Sequence, residues 1–516
     1  MNFKSFKRFF VLKEAESNDP SAPSKDWRKS FIQLEKGFIP PSKMKPVIEA
    51  FLKSGEIELS KDITKAPTMP KKSLFLVGGP VRDFILGKPI KDYDLATNAT
   101  PEQTAHILSN SGFSMDEDRS GKQGKPLELT FTPKKLQKGD KKYFYVKGRD
   151  ASKDKKAFVI GVVVDGEDFD LATFRKDAKV TDGAAEVDFV DNPHEDAARR
   201  DLTINAMYIE LSKPDGENGK LYDPTGKGWG DAKEGKVRTV GKAEDRFNED
   251  KLRILRAIRF HSRFGSGTTM DDDIEKTIPK FKHMEGVALE RIRDEFLKGL
   301  LGQEVDTKKY LTIYKRTGLL EKVFPGVNFD PPGGLPMEIS DKKDKPLALA
   351  WLLQHNPIEK VNEVLAPTKK IVNDNKQTGQ VEPEEKQTGW TVVEKRAVIF
   401  LLKLKDFNKP EQLPEFMKMR EGTGLTNQQV RDWVDMFQIK GTNRHRRPWW
   451  AKHVNAYANH QRSISWTDAQ TAGKDVCDKC KGGGCEQCGG SGKLPPEQRG
   501  KVIASMETEK FRNNLK

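Results

Sequence analysis

The sequence predicts an α+β fold, in which a mixed sheet with helices precedes a mainly α-helical second half. Three observations support this prediction. The apolar run 74–79 ends in two glycines just before Pro80, which indicates a buried strand, a tight turn and a helix. Two more apolar runs, 158–164 and 169–174, flank an Asp-Gly pair and therefore predict a β-hairpin. Beyond about residue 195 the spacing of apolar residues becomes mainly helical.

Length and charge limit the class of protein. At 516 residues the chain is longer than a typical domain of about 100–200 residues, so we expect about two to four packed units. Lys and Arg outnumber Asp and Glu by 91 to 77, and the net charge of +14 favours a polyanionic partner such as a nucleic acid over a merely solvated basic surface. Because no apolar run approaches the ~18 residues of a membrane span, we expect no membrane partner and a cytoplasmic location.

Changes in composition along the chain predict its domain organisation. The first 70 residues are rich in Lys, Pro and Ser and contain two short apolar patches with helical spacing, and a later stretch is crowded with Lys, Asp and Gly. We therefore expect a basic N-terminal extension (1–70), a first folded unit or head (71–210) with an insertion (115–156), and a mainly helical part with linkers that ends in a basic tail (441–516).

Acidic residues in the predicted head indicate a metal site. The segment 91–97 alternates like a strand, which would place Asp92 and Asp94 on one face. Two adjacent carboxylates repel unless a cation joins them, and Mg²⁺ is usually bound by a couple of carboxylates together with substrate phosphates. Asp170 would add a third carboxylate if the strand that it begins pairs beside 91–97. The alternative for all three is a solvated strand edge.

A phosphate-binding turn is predicted next to these acids. Gly78 and Gly79 end the first strand and would let backbone N–H groups approach a phosphate at the start of the following helix. Arg82, on the first turn of that helix, would supply a fork-shaped cation. Together with the carboxylates, these residues favour metal-dependent phosphoryl transfer.

These residues belong to a longer motif. The segment 78–103 resembles the signature of the family of class II tRNA nucleotidyltransferases (CCA-adding enzymes) and bacterial poly(A) polymerases, whose head has the polymerase-β-like nucleotidyltransferase fold. Further segments resemble the family's later motifs and follow in its order, across residues 72–327. They are DLATFR (170–175), RRDLTINAM (199–207), LYDPTG to VRTVG (221–241), RFNEDKLRILRAIRF (246–260) and ERIRDEFLKGL (290–300). The family resemblance of these motifs implies that the helical part divides into a neck (211–275) and a body (276–440).

The resemblance implies nucleotide contacts in two of these motifs. In 199–207, Asp201 would accept a hydrogen bond from the ribose 2′-hydroxyl, with Arg199 and Arg200 near the phosphates. Asn205 belongs to the same nucleotide-binding motif. The acidic residue Asp170 corresponds to the family's third catalytic carboxylate.

The motif 246–260 would read the base. Asn248 is a good N-cap for the helix that follows, on which Asp250 and three arginines step by three along one ridge. Asp and Arg side chains can match the donors and acceptors of a base edge. The resemblance implies that Asp250 and Arg253 choose cytosine or adenine and that later arginines contact the nucleotide, whereas the residues alone also allow an intrahelical salt-bridge ladder. The later arginines are Arg256 and Arg259.

The implied activity is the addition of C, C and A to the 3′ end of tRNA from CTP and ATP, with Mg²⁺ as cofactor. Poly(A) addition is the alternative, but bacterial poly(A) polymerases usually show a GRRFR-like run before the third acidic strand, and this chain has none there. A non-catalytic RNA-binding protein on the same fold is a second alternative. Nothing in the sequence indicates an oligomeric state.

The tail contains the four cysteines of the chain, which form two CxxC pairs within 477–492. This pattern resembles half of the cysteine-rich zinc domain of DnaJ-type co-chaperones, and four thiolates at this spacing suit a closed, structural Zn²⁺ site. Two disulfides or free thiols are the alternatives. The cysteines are Cys477, Cys480, Cys485 and Cys488. Upstream, the basic and aromatic segment 444–450 would contact RNA or cover apolar surface.

Overall fold

The structure is a computed structural model of the chain. It describes residues 31–57, 69–119, 129, 131–147, 159–181, 184–263, 267–302, 304–328, 334–366, 390–406 and 413–439. The chain divides into two compact units, Met1–Lys282 and His283–Lys516. The cysteines and the segment 444–450 lie outside the described residues, so zinc binding and the RNA contact of the tail stay predictions.

The first unit is built on a mixed β-sheet. The strands are β1 (Ile32–Phe38), β2 (Leu74–Val77), β3 (Asp94–Thr97), β4 (Ser114–Met115), β5 (Lys142–Lys147), β6 (Val159–Val164), β7 (Glu167–Thr173), β8 (Arg175–Thr181), β9 (Ala184–Phe189), β10 (Tyr208–Glu210), β11 (Asn218–Tyr222), β12 (Lys236–Val237) and β13 (Thr269–Met270). Within the described residues, nine of them form one sheet in the order β1-β11-β10-β2-β3-β7-β6-β5-β4. Only β3 with β7 and β4 with β5 run parallel in this sheet. The pairs β8-β9 and β12-β13 form two small sheets.

Helices of the first unit follow the strands closely. They are α1 (Lys45–Leu52), α2 (Gly79–Ile85), α3 (Pro101–Asn110), α4 (Pro193–Ala198), α5 (Gly228–Glu234), α6 (Ala243–Glu249), α7 (Leu252–Arg263) and α8 (Asp272–Thr277). The chain after β3 begins α3 with a capping box. The Thr100 hydroxyl accepts the Gln103 backbone N–H at 3.2 Å, and the Gln103 side chain accepts the Thr100 N–H at 3.0 Å. This cap fixes where α3 begins.

Aromatic side chains form the core between the central strands and the chain that follows β7. Phe75 of β2 meets the Tyr222 ring edge to face at 5.8 Å, and Phe174 meets Tyr208 in the same way at 5.6 Å. All four side chains are buried. Such contacts favour one arrangement of the strands, because each ring pair has a preferred geometry as well as apolar area. The core therefore holds β2, β10 and β11 in place around the site.

The described residues of the second unit form helices and the loops between them, as predicted. Its helices are α9 (Leu289–Leu300), α10 (Thr307–Arg316), α11 (Leu320–Val323), α12 (Met337–Lys342), α13 (Lys345–Leu353), α14 (Ile358–Val364), α15 (Val392–Lys403), α16 (Leu413–Arg420) and α17 (Asn427–Ile439). Phe296 packs edge to face on Tyr314 at 5.1 Å. No helix within the described ranges combines the length and the apolar character that a membrane span requires.

The α+β class and the hairpin are confirmed. β6 and β7 pair antiparallel around Asp165 and Gly166, whose φ angles of 48° and 81° suit the tight turn that an Asp-Gly pair favours. Two details of the sequence interpretation were wrong. Residues 32–38, which we assigned to an appended extension with helical patches, form β1 at the edge of the main sheet. The sheet also continues past residue 195, and past the predicted end of the head at residue 210, because β11 pairs with both β10 and β1.

Candidate active site

Two carboxylates lie side by side on neighbouring parallel strands. Asp94 is the first residue of β3, Asp170 lies within β7, and the two are direct partners in the register. Partners on adjacent strands present their side chains to the same face of the sheet. The side chain of Asp94 is exposed and that of Asp170 is half-buried. The pairing of these two strands, which the sequence only suggested, is therefore observed.

Asp92 has a different position from the one predicted. The strand expected over 91–97 begins only at Asp94, and Asp92 lies before it in a bend, with an exposed side chain. Both neighbouring strands stop pairing before Asp92. The pairing of β2 with β3 extends only as far as Leu95, because the chain turns into α2 at Gly78, and the pairing of β3 with β7 extends only as far as Asp94. Because Asp92 is not part of the strand, the alternation of side chains along a strand does not place Asp92 and Asp94 on one face.

The charges around Asp94 raise its pKa. Although Asp94 is exposed, the protein atoms around its carboxyl group displace part of its hydration; this is the largest cause, and the negative charges of Asp170 and Asp92 add to it. Arg200 and Arg82 act in the opposite direction. The site therefore holds like charges close together, and two arginines border them.

The backbone conformation of the turn between β2 and α2 requires glycine. Gly78 has a φ of +71°, which L side chains rarely adopt. Space is not the constraint, since a Cβ atom at this position would lie 3.4 Å from Nη1 of Arg200, an ordinary contact with a flexible side chain. The Gly78 N–H itself donates to the Met207 carbonyl at 3.4 Å. The turn thus ties the start of α2 to the residues that precede β10.

Arg82, predicted as a fork-shaped cation for the phosphates, is buried and is bonded to groups of the protein. Its side chain is only 4% exposed. Nη1 donates to Oδ1 of Asn205 at 2.6 Å, Nε and Nη2 donate to Oδ1 of Asp83 at 2.9 and 2.8 Å, and the guanidinium lies 4.7 Å from the centre of the Phe260 ring. These contacts connect α2 with the 199–207 segment and with α7.

Asp196 holds the two adjacent arginines of the 199–207 motif. Its Oδ1 accepts from Nη2 of Arg199 at 2.6 Å, and its Oδ2 accepts from Nη2 of Arg200 at 3.0 Å and from the Tyr208 hydroxyl at 2.8 Å. Burial opposes ionisation of Asp196, but Arg200 and Arg199 outweigh it and lower the pKa of the carboxyl group. Arg200 also donates to the Asn205 carbonyl at 3.2 Å.

Asp201 connects this motif to α7. Oδ2 of Asp201 accepts from Nε of Arg256 at 2.6 Å, and Oδ1 accepts from the Leu202 N–H at 2.8 Å and from Nδ2 of Asn205 at 3.3 Å. Burial would raise the pKa of Asp201, but Arg256 more than compensates and the pKa is lowered. The neighbouring Arg253 donates to the Arg199 carbonyl at 2.7 Å.

The helix that carries these arginines begins later than predicted. Asn248 lies inside α6 and does not cap α7, and Asp250 lies between the two helices on extended backbone. Its Oδ1 accepts the Leu252 N–H at 3.0 Å, because the first N–H groups of a helix have no partner within it. Asp250 is therefore not on the ridge predicted for it. The three arginines are half-buried among buried neighbours on α7, and Arg259 lies 4.5 Å from the Phe260 ring centre.

Sequence reasoning missed several polar residues of the site. The i, i+3 and i, i+4 spacing of Asp196 to Arg199 and Arg200 on a short helix was a usable signal for that ion-pair cluster. No sequence signal identified Lys147 or Tyr145 of β5. Lys147 forms an ion pair with Asp170, and the Tyr145 hydroxyl donates to Oδ2 of Asp168 at 2.6 Å.

The carboxylates fit a hard divalent cation that a substrate helps to bind. Among the residues that the structure describes, no three His, Cys, Asp or Glu side chains converge to hold a metal ion by themselves. A pair of carboxylates that repel each other is nevertheless what Mg²⁺ needs, since it usually keeps several waters and takes further ligands from phosphates. Carboxylate oxygens are the only protein ligands that this set would supply.

Two family models match the chain. Residues 74–137 and 129–238 match the poly A polymerase head domain, and residues 267–330 match the probable RNA and SrmB- binding site of polymerase A. The first match contains β2, β3, β7 and the 199–207 segment. It therefore includes the carboxylate pair and the polar network beside it.

Several curated proteins are similar to the chain. The CCA-adding enzyme of Lactobacillus gasseri is 29% identical over 368 residues, which are 71% of this chain and 68% of that protein. The CCA-adding enzyme of Oceanobacillus iheyensis is 34% identical over 45% of this chain and 46% of its own. Among solved structures, the Bacillus stearothermophilus CCA-adding enzyme in complex with CTP aligns with 92% of this chain and 94% of its own, at 20% identity and a TM-score of 0.45.

Proposed function

We propose that the chain is a member of the family of class II tRNA nucleotidyltransferases and bacterial poly(A) polymerases, and that it adds C, C and A to tRNA 3′ ends from CTP and ATP without a nucleic acid template. The observation that carries this proposal is the register pairing of Asp94 with Asp170 inside the matched head. The relatives from Lactobacillus gasseri and Oceanobacillus iheyensis, both called CCA-adding enzymes, support the choice of substrate. A cytoplasmic location stays a prediction.

The carboxylates are the proposed metal ligands. Asp94 and Asp170, with Asp92 close by, would hold Mg²⁺, which when bound activates the attacking hydroxyl of the RNA and neutralises the leaving pyrophosphate. Arg200 and Arg82 border Asp94 from the side of the Gly78 turn, so the triphosphate of the incoming nucleotide is proposed to lie on that side. Asp196 fixes Arg200 in position, and because this one carboxylate is shared by Arg199 and Arg200, a net positive charge would remain to act on the phosphates.

Asp201 is suited to hold the ribose. A carboxylate offers about four acceptor positions, and three are used by Arg256, Leu202 and Asn205. The remaining position would accept a hydrogen bond from the ribose 2′-hydroxyl. The Arg256 ion pair keeps the Asp201 carboxyl ionised, since its pKa is lowered.

Asp250 and Arg253 are the proposed readers of the base. Arg253 is held between the Glu249 carboxylate, at 2.6 Å, and the Arg199 carbonyl, so little freedom remains to be lost when a base binds. Asp250 lies two residues before the start of α7 and is fixed by its bond to the Leu252 N–H. Arg256 and Arg259, one and two turns further along the same helix, would contact the rest of the nucleotide.

Poly(A) addition is the less favoured alternative. The chain lacks the GRRFR-like run before β7, and the relatives compared above are CCA-adding enzymes. For the tail, we propose a structural zinc ion at Cys477, Cys480, Cys485 and Cys488, supported by their spacing alone, and metal analysis of the purified chain tests this directly.

Product length distinguishes these activities. We expect the purified protein, with Mg²⁺, labelled CTP and ATP and a tRNA that lacks its terminal CCA, to extend the RNA by three nucleotides and then stop. ATP alone should give no extension of that tRNA, since C is added first. Long A tails from ATP alone would show a poly(A) polymerase, and no incorporation under any condition would favour the non-catalytic alternative.

A further inference from the structure

The inserted segment 115–156 brings a second polar cluster to the carboxylates. Its strand β5 pairs with β6, and β6 pairs with β7, so β5 lies two strands from Asp170. The cluster consists of Arg119, Tyr145, Lys147, Asp168 and Asp170. We call it the β5 cluster. None of the roles proposed above uses Arg119, Tyr145 or Lys147.

One glycine allows β5 to approach the carboxylates. Asp94, Asp170, Gly161 and Tyr145 are partners in the register across β3, β7, β6 and β5. A Cβ atom at Gly161 would overlap the Tyr145 ring and lie 2.8 Å from its hydroxyl oxygen. The missing side chain therefore lets Tyr145 lie across β6 and donate its hydroxyl to Asp168 on β7.

The β5 cluster holds two cations at the edge of the site. Lys147 forms an ion pair with Asp170 and lies 4.0 Å from Oδ1 of Asp168. Arg119 donates to Oδ2 of Asp168 at 3.3 Å, and its guanidinium lies 3.7 Å from the centre of the Tyr145 ring. Their side chains are 37% and 42% exposed, so both cations remain accessible to a ligand in solution.

The position of the cluster indicates which substrate it meets. In the sheet order β2-β3-β7-β6-β5, the Gly78 turn follows β2 on one side of the carboxylate pair, and β5 lies on the other side. Nucleotidyl transfer joins two substrates, and the triphosphate is proposed to lie on the β2 side. The second substrate is the RNA whose 3′-hydroxyl attacks, and it would therefore lie on the β5 side of the carboxylate pair. Exposed cations there suit the phosphates of an RNA backbone.

We propose that Lys147 and Arg119, positioned by Tyr145, bind the backbone phosphates next to the 3′ end of the RNA substrate. This inference rests on the proposed function. In the free enzyme Lys147 is paired with Asp170, and a metal ion on Asp170 would compete with that pairing. Lys147 would then be available for an RNA phosphate at the moment when the site is loaded. The inserted strand is thus a positioning device for the RNA.

The test uses a tRNA that ends in CC, because one addition of A then reports on both substrates. We expect Lys147→Ala, and more strongly Lys147→Ala with Arg119→Ala, to raise the KM for tRNA several-fold while the KM for ATP stays unchanged. Lys147→Arg should restore the KM for tRNA. The matched control is Lys142→Ala, at the other end of the same strand and on its other face, which should behave like the wild type.

A binding measurement provides a second readout without chemistry. With Mg²⁺ and no nucleotide, the slope of log K for tRNA against log salt should become shallower by about 0.7 for each single-strand phosphate that a variant no longer binds. A higher KM for ATP in Lys147→Ala would overturn the proposal, since the cation would then serve the triphosphate. A lower kcat with both KM values and the salt slope unchanged would also overturn it, since Lys147 would then act only on Asp170. If the wild type adds nothing, the proposed function fails, while the salt slopes still test the inference.

Discussion

The ionisation of the Asp94 carboxyl group is influenced in opposite directions by the charges around it. This carboxyl group is partly removed from solvent and lies near the negative charges of Asp170 and Asp92, and all of these effects disfavour its ionised form. Arg200 and Arg82 offset only part of this effect. The ionised carboxylate is therefore disfavoured in the free protein, and a bound cation would offset this effect.

This arrangement predicts a pH-dependent effect of Asp94→Asn. A raised pKa means that the folded chain binds the proton more tightly than the unfolded chain does, so ionised Asp94 lowers stability above the ordinary Asp pKa. We expect Asp94→Asn to raise the Tm at pH 7 in EDTA, with the gain shrinking as the pH falls through the raised pKa of folded Asp94 to the ordinary Asp value. Mg²⁺ should raise the Tm of the wild type more than that of the variant. A variant less stable than the wild type at pH 7 in EDTA would show that Asp94 is not under repulsion.

At the scale of elements, the fit of β5 against β6 depends on Gly161. We expect Gly161→Ala to lower the free energy of unfolding by about 1–3 kcal/mol, because the added methyl group must displace the Tyr145 ring. The decrease should be much smaller in a Tyr145→Ala background, and urea unfolding of the four proteins of this double-mutant cycle measures the coupling. Gly230→Ala in α5 is the control, because no heavy atom lies within 4 Å of its added Cβ. Equal decreases in both backgrounds would contradict the close approach of Tyr145 to Gly161.

Elements with strong local signals could be predicted from the sequence, and elements that depend on distant partners could not. The Asp-Gly turn between β6 and β7 and the glycine turn before α2 have preferred backbone conformations, so local residues determine them. Asp92 was misplaced because the length of β3 depends on where β2 ends. The assignment of β1 to the sheet depends on β11, about 180 residues later, as the bond from the Gly37 N–H to Glu217 illustrates. The approach of β5 to the carboxylates could not be predicted either, because β5 reaches β7 only through its pairing with β6.

The same distinction between local signals and distant partners applies to the candidate site. Motifs identified the arginines of α7 and the 199–207 segment, since their residue types and order are recognisable. The hydrogen-bond partners of these residues could be identified only in the folded structure. Asn205 joins Arg82 to Asp201, and Arg253 reaches the Arg199 carbonyl from a helix that begins some 50 residues later. Sequence order cannot indicate such contacts, because they connect elements that meet only in the folded head.

At the scale of the whole molecule, the chain combines a head, a helical unit and a basic tail. In the head, one sheet carries the carboxylate pair to which we propose that two substrates come. The sheet order puts the proposed triphosphate side and the proposed RNA side on opposite flanks of Asp94 and Asp170. A net charge of +14 suits a substrate as anionic as tRNA. The central claim is that this carboxylate pair carries nucleotidyl transfer.

The most direct test of that claim is the single-turnover rate of A addition to a tRNA ending in CC, measured for Asp94→Asn, Asp170→Asn and the wild type. Glu167→Gln, on the same strand as Asp170 but in an exposed ion pair with Lys43 at 3.6 Å, is the matched control. Loss of several kcal/mol of charge stabilisation should slow both aspartate variants at least about 100-fold, with the control within about twofold of the wild type. An Asp170→Asn enzyme as fast as the wild type would contradict the assignment of the pair.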